Sequence, residues 1–355
     1  MKNLTAINEM KTGMWYRKEL SGGKSSNDKP YSITLKKGSV NKLLVFFVGG
    51  GLSWNEETAS NPFTMGTVIR QKDAYYISHV MPIQLQFMHT GILNGKDKHN
   101  PFADWHVLTI PYATADFHLG NNDYPYQDRK GHDEVLHHRG ETNVQKALEV
   151  LKEMIPDTPE YLLIAGVSAG GFGCVAHAPA IHRLYPDCKN IIVCADGSYL
   201  DTPQWAEITK DVWRVRAELE PYLTGRDIMT DLFHYSSKHM PDDTIFLHTV
   251  SLWDTALVRV MSKMNGGEMV ATAETLRAFN DSLLAAVKKL KNEMPNYYYY
   301  LTDDVKNKKD GTTPHMFLGA SKLFYREMQD NMSVANWLVA TMAGNPVDIG
   351  SGFLE

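Results

Sequence analysis

Ser168 lies between small residues in Gly166-Val167-Ser168-Ala169-Gly170, directly behind the apolar run at 161–166. A nucleophile on a tight strand-to-helix turn holds a strained backbone conformation, so its neighbours two positions away must be small. Gly166 and Gly170 meet that demand, and Gly171 lets the following helix approach the sheet. Such a turn also aims the Ala169 N–H at the space where a substrate oxygen would gain negative charge. A plain strand–helix turn would use the same glycines, so the chemistry depends on partners elsewhere in the chain.

An unactivated hydroxyl is a poor nucleophile and needs a base within hydrogen-bond reach. Six histidines follow Ser168: His177, His182, His234, His239, His248 and His315. The first two belong to the helix running away from the serine. His234 and His239 flank a polar segment, and His248 sits inside a strand pattern. His315, in Asp310-Gly-Thr-Thr-Pro-His-Met-Phe-Leu-Gly319, occupies a loop beyond the last strand, where a general base belongs. The carboxylate that would orient it is best sought at Asp254, a few residues past the strand at 244–250, and an acid there would fix the imidazole tautomer. Asp303, Asp304 and Asp196 also end strands and remain rivals. Gly49-Gly50-Gly51 closes another apolar strand, and close backbone approach to a ligand is one reason to tolerate three glycines in a row. Gly50 and Gly51 N–H groups, joined by Ala169, would form an oxyanion site. Trp54, Phe172, Tyr199 and Trp253 are candidates for lining the substrate pocket.

The elements that must position these groups can be read from the pattern. Strands are expected at 31–35, 43–48, 106–112, 161–166, 190–196, 244–250 and 297–303, with the first two forming a hairpin. Helices are expected from Thr142 to Met154, opened by a Thr142–Gln145 capping box and stopped by Pro156, along Leu276–Leu290, and over Ser333–Met342, closed by Gly344 and Pro346. Pro179 should kink or end the helix after Ser168. Apolar strands alternating with amphipathic helices predict an α/β class, a mostly parallel sheet covered on both faces. Without repeats or a Pro/Ser-rich linker, residues 1–355 read as one domain, with 1–30 an N-terminal extension of the core at 31–340.

The composition is ordinary for a globular chain of 355 residues: 43% hydrophobic, 22% charged and a formal net charge of −5. Lys and Arg are scattered, so nothing offers the basic footprint a nucleic-acid partner demands. No run approaches the ~20 apolar residues of a membrane span, and the first twenty residues lack the apolar segment of a signal peptide. Cys174, Cys188 and Cys194 form no Cys-x-x-Cys pair. The expected location is the cytoplasm. His118, His132, His137 and His138 fit no zinc signature and are expected on a polar loop over the site mouth. No metal or organic cofactor is implied.

The segments VGGGLSWN, PYATADFHLGN, GVSAGGFGC and ADGSYLD resemble, in order and near spacing, those of the pectin acetylesterase and Notum-type carboxylesterases. The resemblance spans roughly 31–340 and implies an α/β-hydrolase-like fold. It also implies Ser168 as nucleophile, Asp254 as acid, His315 as base, and Gly50, Gly51 and Ala169 at the oxyanion. Leu52 and Ser53 stand where the family has tryptophan and cysteine, and Tyr112-Ala113 replaces its tyrosine-cysteine pair, so the disulfides of secreted members are missing. The expected function is a serine esterase cleaving a small acyl ester, acetyl first, from a small-molecule or carbohydrate substrate. The alternatives are a broader carboxylesterase or lipid deacylase and, from another class, a non-catalytic binding protein on a hydrolase scaffold.

Overall fold

The computed structural model describes residues 1–64 and 73–355, with the backbone alone at 83 and 85–87. Strands β4 (Lys42–Phe47), β8 (Tyr161–Val167), β9 (Asn190–Asp196) and β10 (Ile245–Ser251) are buried at every position after the first. Strands that are apolar on both faces need cover on both faces, and these take the middle of the sheet. Around them lie β1 (Lys2–Asn3), β2 (Trp15–Lys24), β3 (Pro30–Lys36), β5 (His106–Ile110) and β11 (Tyr297–Thr302). The order is β1-β2-β3-β5-β4-β8-β9-β10-β11. From β5 through β11 every pairing is parallel, whereas β3 pairs antiparallel with both β2 and β5. A separate antiparallel pair joins β6 (Asn122–Gln127) and β7 (Asp133–His138).

Six α-helices of eight or more residues occur among the described residues: α1 (Gly140–Met154), α2 (Ala169–Leu184), α3 (Ile228–His239), α4 (Leu257–Met264), α5 (Ala273–Glu293) and α6 (Val334–Met342). The period-two alternation of β4 divides the core between the two faces. Leu43, Val45 and Phe47 join the layer containing Val144, Leu148, Val175 and Leu283, while Leu44, Phe46 and Val48 join Trp337 and Leu338 of α6. This is a mixed α/β fold of the α/β-hydrolase kind.

Four expectations from the sequence change. The segment 31–35 does not form a hairpin with 43–48, because β4 finds its neighbours in β5 and β8 and β3 moves one place outward. The segment 1–30 contributes β1 and all of β2 to the sheet, and a register shift between Glu19 and Lys24 interrupts the pattern there. Helix α1 starts at Gly140, so Thr142 lies inside its first turn. There the Thr142 hydroxyl donates to Asn121 and the Gln145 amide to Glu141, in place of a capping box. Helix α2 continues past Pro179 to Leu184. Its residues 169–181 are all buried, and that packing outweighs the one missing N–H.

Candidate active site

The carboxyl ends of five adjacent parallel strands open onto one region, the usual ligand crevice of such sheets. Gly49–Gly51 follow β4, Ser168 follows β8, Asp196 ends β9, Asp254 follows β10, and His315 lies in the loop after β11.

Ser168 has φ 54° and ψ −129°, a left-handed conformation that a residue with a side chain avoids unless its surroundings impose it. The surroundings do so here. Its N–H donates to the Asp196 carbonyl at 2.7 Å, and its carbonyl accepts from Gly171 N at 2.8 Å and from Ser198 Oγ at 2.7 Å. A Cβ on Gly166 would stand 2.1 Å from the Gly170 carbonyl oxygen and one on Gly170 2.2 Å from the Phe47 carbonyl oxygen, so both glycines are needed for the turn to close. Ala169 is the first residue of α2, and a first-turn N–H has no acceptor within its own helix.

His315 Nδ1 lies 2.7 and 2.9 Å from the two carboxylate oxygens of Asp254. A carboxylate accepts there, so Nδ1 carries the hydrogen and Nε2 is left with its lone pair. Asp254 is fully buried and also accepts from Ala256 N and Leu257 N, where α4 begins. The acid and histidine loops are knitted together through Thr313: its N–H donates to the Trp253 carbonyl, its carbonyl accepts from Thr255 N, and its hydroxyl accepts from Trp253 N. Burial pulls the His315 pKa down, but the charge and hydrogen bond of Asp254, with the charge of Asp196 added, raise it above the ordinary histidine value.

The glycine segment abuts the serine turn: a Cβ on Gly49 would fall 2.6 Å from Ser168 Cβ. Gly51 has φ +82°, and a Cβ there would stand 1.9 Å from the Tyr75 carbonyl oxygen. The segment is fixed by Leu52 N donating to Tyr75 O and Ile77 N donating to Gly50 O, both at 2.9 Å. From behind, His118 Nε2 lies 3.0 Å from the Val48 carbonyl, which can only accept, so that nitrogen donates.

Ser168, His315, Gly50, Gly51 and Ala169 all line one cavity of about 580 Å³. Its other walls are chiefly apolar, with Leu200, Phe172 and Met81 among them, and Arg259 is the one Lys or Arg side chain among the described lining residues.

The sequence profile of the family described as Pectinacetylesterase matches residues 30–218. This chain belongs to the pectinacetylesterase family. No curated protein matches it. Membership makes it a carboxylic ester hydrolase of the acetylesterase kind. The matched stretch contains the glycine segment, the Ser168 turn and Asp196, and stops short of Asp254 and His315.

In this pectinacetylesterase-family chain, Phe172 is on the cavity wall, while the other three proposed pocket aromatics lie elsewhere. Trp54 is buried against Tyr75, and Tyr199 against Phe279. Trp253 sits under Lys306 outside the cavity. Each is held by packing near the site without reaching it. Among the rival acids, Asp303 pairs with Lys306, and Asp304 accepts from the Thr302 hydroxyl. Asp196 reaches the backbone after His315 and does not bond the ring.

The histidine-rich stretch is not a loop over the cavity mouth. His118 and His138 are buried, with ring nitrogens on the Val48 and Thr114 carbonyls respectively. His132 and His137 belong to the β6–β7 hairpin region and pair with Asp128 and Asp123, and Arg139 also pairs with Asp123. None of them lines the cavity. Among the described residues no group of three or more His, Cys, Asp or Glu is placed to hold a metal ion, and no helix is long and apolar enough to cross a membrane. The three cysteines are free and buried. The sequence reading missed Tyr75, Ile77 and Gln84, which wall the cavity from a segment without recognisable periodicity. It also missed Gly197 and Ser198, whose one available signal was their place at the end of the strand after the serine turn.

Proposed function

We propose that this enzyme hydrolyses a small acyl ester, acetyl on a carbohydrate in the first instance, through a Ser168-His315-Asp254 triad. In this reading His315 Nε2 takes the Ser168 proton as Oγ attacks the ester carbonyl. The tetrahedral oxyanion is met by N–H groups of Gly50, Gly51 and Ala169. The protonated imidazole then returns its proton to the departing alcohol, leaving an acyl-serine. Water, deprotonated by the same nitrogen, adds to the acyl carbon, releases the acid and restores the hydroxyl. The observation that carries this reading is the His315–Asp254 pair, bonded at 2.7 Å, with His315 on the wall of the cavity that Ser168, at positive φ, also lines.

The test is labelling with a fluorophosphonate, together with assays on acetylated sugars and p-nitrophenyl acetate. Wild type should label at Ser168 and turn over an acetyl ester. Ser168→Ala should fold normally, fail to label and lose about three orders of magnitude or more in turnover. A folded alanine variant with wild-type turnover overturns the proposal, and an unlabelled, inactive wild type favours a non-catalytic binding protein.

The cavity favours a second reading. Its volume of about 580 Å³ and apolar walls far exceed what an acetyl group fills, and suit a broader carboxylesterase or lipid deacylase. A series of p-nitrophenyl esters from acetyl to octanoyl separates the two. A maximum in kcat/KM at acetyl supports the first, and a maximum at longer chains the second.

A further inference from the structure

Asp196 ends β9 and is fully buried, yet it neither touches the His315 ring nor lines the cavity. Its bonds reach three separate parts of the site. The backbone carbonyl accepts from Ser168 N at 2.7 Å. One carboxylate oxygen accepts from the Thr249 hydroxyl at 2.7 Å, on the strand that leads to Asp254. The other accepts from Phe317 N at 2.8 Å and Leu318 N at 2.7 Å, two and three residues after His315. The next two residues continue this contact. Gly197 has φ +61°, and a Cβ there would stand 2.2 Å from the His315 carbonyl oxygen, so the histidine loop rests on bare backbone. Ser198 Oγ donates to the Ser168 carbonyl.

We infer that Asp196 is a positioning residue for the proposed triad, whose ionised carboxylate holds the His315 loop in register with Ser168 and places a second negative charge near the imidazole. The inference rests on the triad reading above. Two N–H groups converging on one oxygen need an acceptor, and a protonated carboxyl would turn a donor toward Thr249 or toward them. Burial pushes the Asp196 carboxyl up to about 6, with the Thr249 hydroxyl and the Leu318 and Phe317 N–H groups working against that rise. The titratable groups around it are His315 and the buried thiols of Cys174 and Cys194, both of which burial pushes up and keeps protonated. His315 in turn faces Asp254 and Asp196.

Asp196→Asn is the decisive variant, because its amide oxygen can accept from Phe317 and Leu318 while its NH2 donates to Thr249. The geometry is kept and the charge is lost. Turnover would be counted per site labelled by a fluorophosphonate, and kcat/KM followed against pH with p-nitrophenyl acetate. The acid limb of Asp196→Asn should move to lower pH, since the charge favouring the imidazolium is gone. Asp196→Ala should lose about 10²-fold in kcat per labelled site with KM within about threefold. An acid limb that stays where wild type has it overturns the inference, since a merely structural role lowers the labelled fraction without moving a pH limb. If Asp196→Ala does not fold, the limb of Asp196→Asn decides alone. An unlabelled wild type would instead remove the triad reading, and this inference with it.

Discussion

Asp254 presents both carboxylate oxygens to His315 Nδ1, at 2.7 and 2.9 Å, while one of them also caps the start of α4. The double duty makes an asparagine variant informative. In Asp254→Asn the amide oxygen can keep the bonds from Ala256 N and Leu257 N, leaving its NH2 to face the ring. Nδ1 must then accept, and the hydrogen moves to Nε2, the nitrogen proposed to take the serine proton. The expected outcome is a loss of about 10³–10⁴ in kcat with little change in melting temperature. Steady-state kinetics beside a thermal unfolding curve would check it, and near-wild-type kcat would exclude Asp254 from the role.

The pH profile follows from the same pair. Burial lowers the His315 pKa, but the Asp254 charge and hydrogen bond prevail, so the imidazole holds its proton to a pH above 6.5. A general base works only when neutral. Activity should therefore fall as pH drops through the raised value, with the acid limb of kcat/KM centred above 6.5. A limb centred well below that would mean that a different group is titrating.

Much of this arrangement was legible in the sequence because it depends on residue types that backbone geometry restricts. Ser168 between Gly166 and Gly170 announces a turn that only small neighbours allow, and His315 lies in a polar loop after the last strand. Strand positions were legible where burial is continuous, as in β4 and β8. Strand neighbours were not, because the run at 31–35 fits beside β4 or β5 equally well until the partners of β4 are known. The helix limits were obscured by competition: the Thr142 hydroxyl finds Asn121 in the tertiary structure, and no local rule anticipates that bond. Of the four pocket aromatics only Phe172 lines the cavity, and the others were misplaced for a similar reason, since Trp54 and Tyr199 satisfy a core as readily as a substrate site.

Gly51 provides a test of the proposed oxyanion segment. Its φ is +82°, and a Cβ at this position would come within 1.9 Å of the Tyr75 carbonyl oxygen, which leaves no room for a side chain. Gly51→Ala should therefore push the segment off Tyr75 and cost about 1–3 kcal/mol in stability. Because the displaced N–H groups would no longer converge on the oxyanion, kcat should drop by about 10²-fold. Thermal unfolding and kinetics on one short ester would measure both. An alanine variant that loses stability but keeps kcat per folded molecule would remove Gly51 from the oxyanion site.

Val260 tests where the acyl chain goes. It lines the cavity from α4, only six residues beyond Asp254, and is half-buried, so a larger side chain has room to settle without disturbing the sheet. An indole at this position would occupy the apolar space and leave the proposed carbonyl end of the site, at Ser168, His315 and the glycines, untouched. Val260→Trp should then lower kcat/KM for p-nitrophenyl octanoate by about tenfold or more while the acetate stays within about twofold, since a pocket discriminates by the methylenes it can still bury. The substitution thus separates the two proposed substrate classes: an enzyme that works on acetyl groups alone would hardly respond, and one with a long acyl pocket would become an acetylesterase. An equal loss for every ester would mean that this wall receives the alcohol portion of the substrate, and the acyl group would have to lie along the Leu200 and Phe172 side instead.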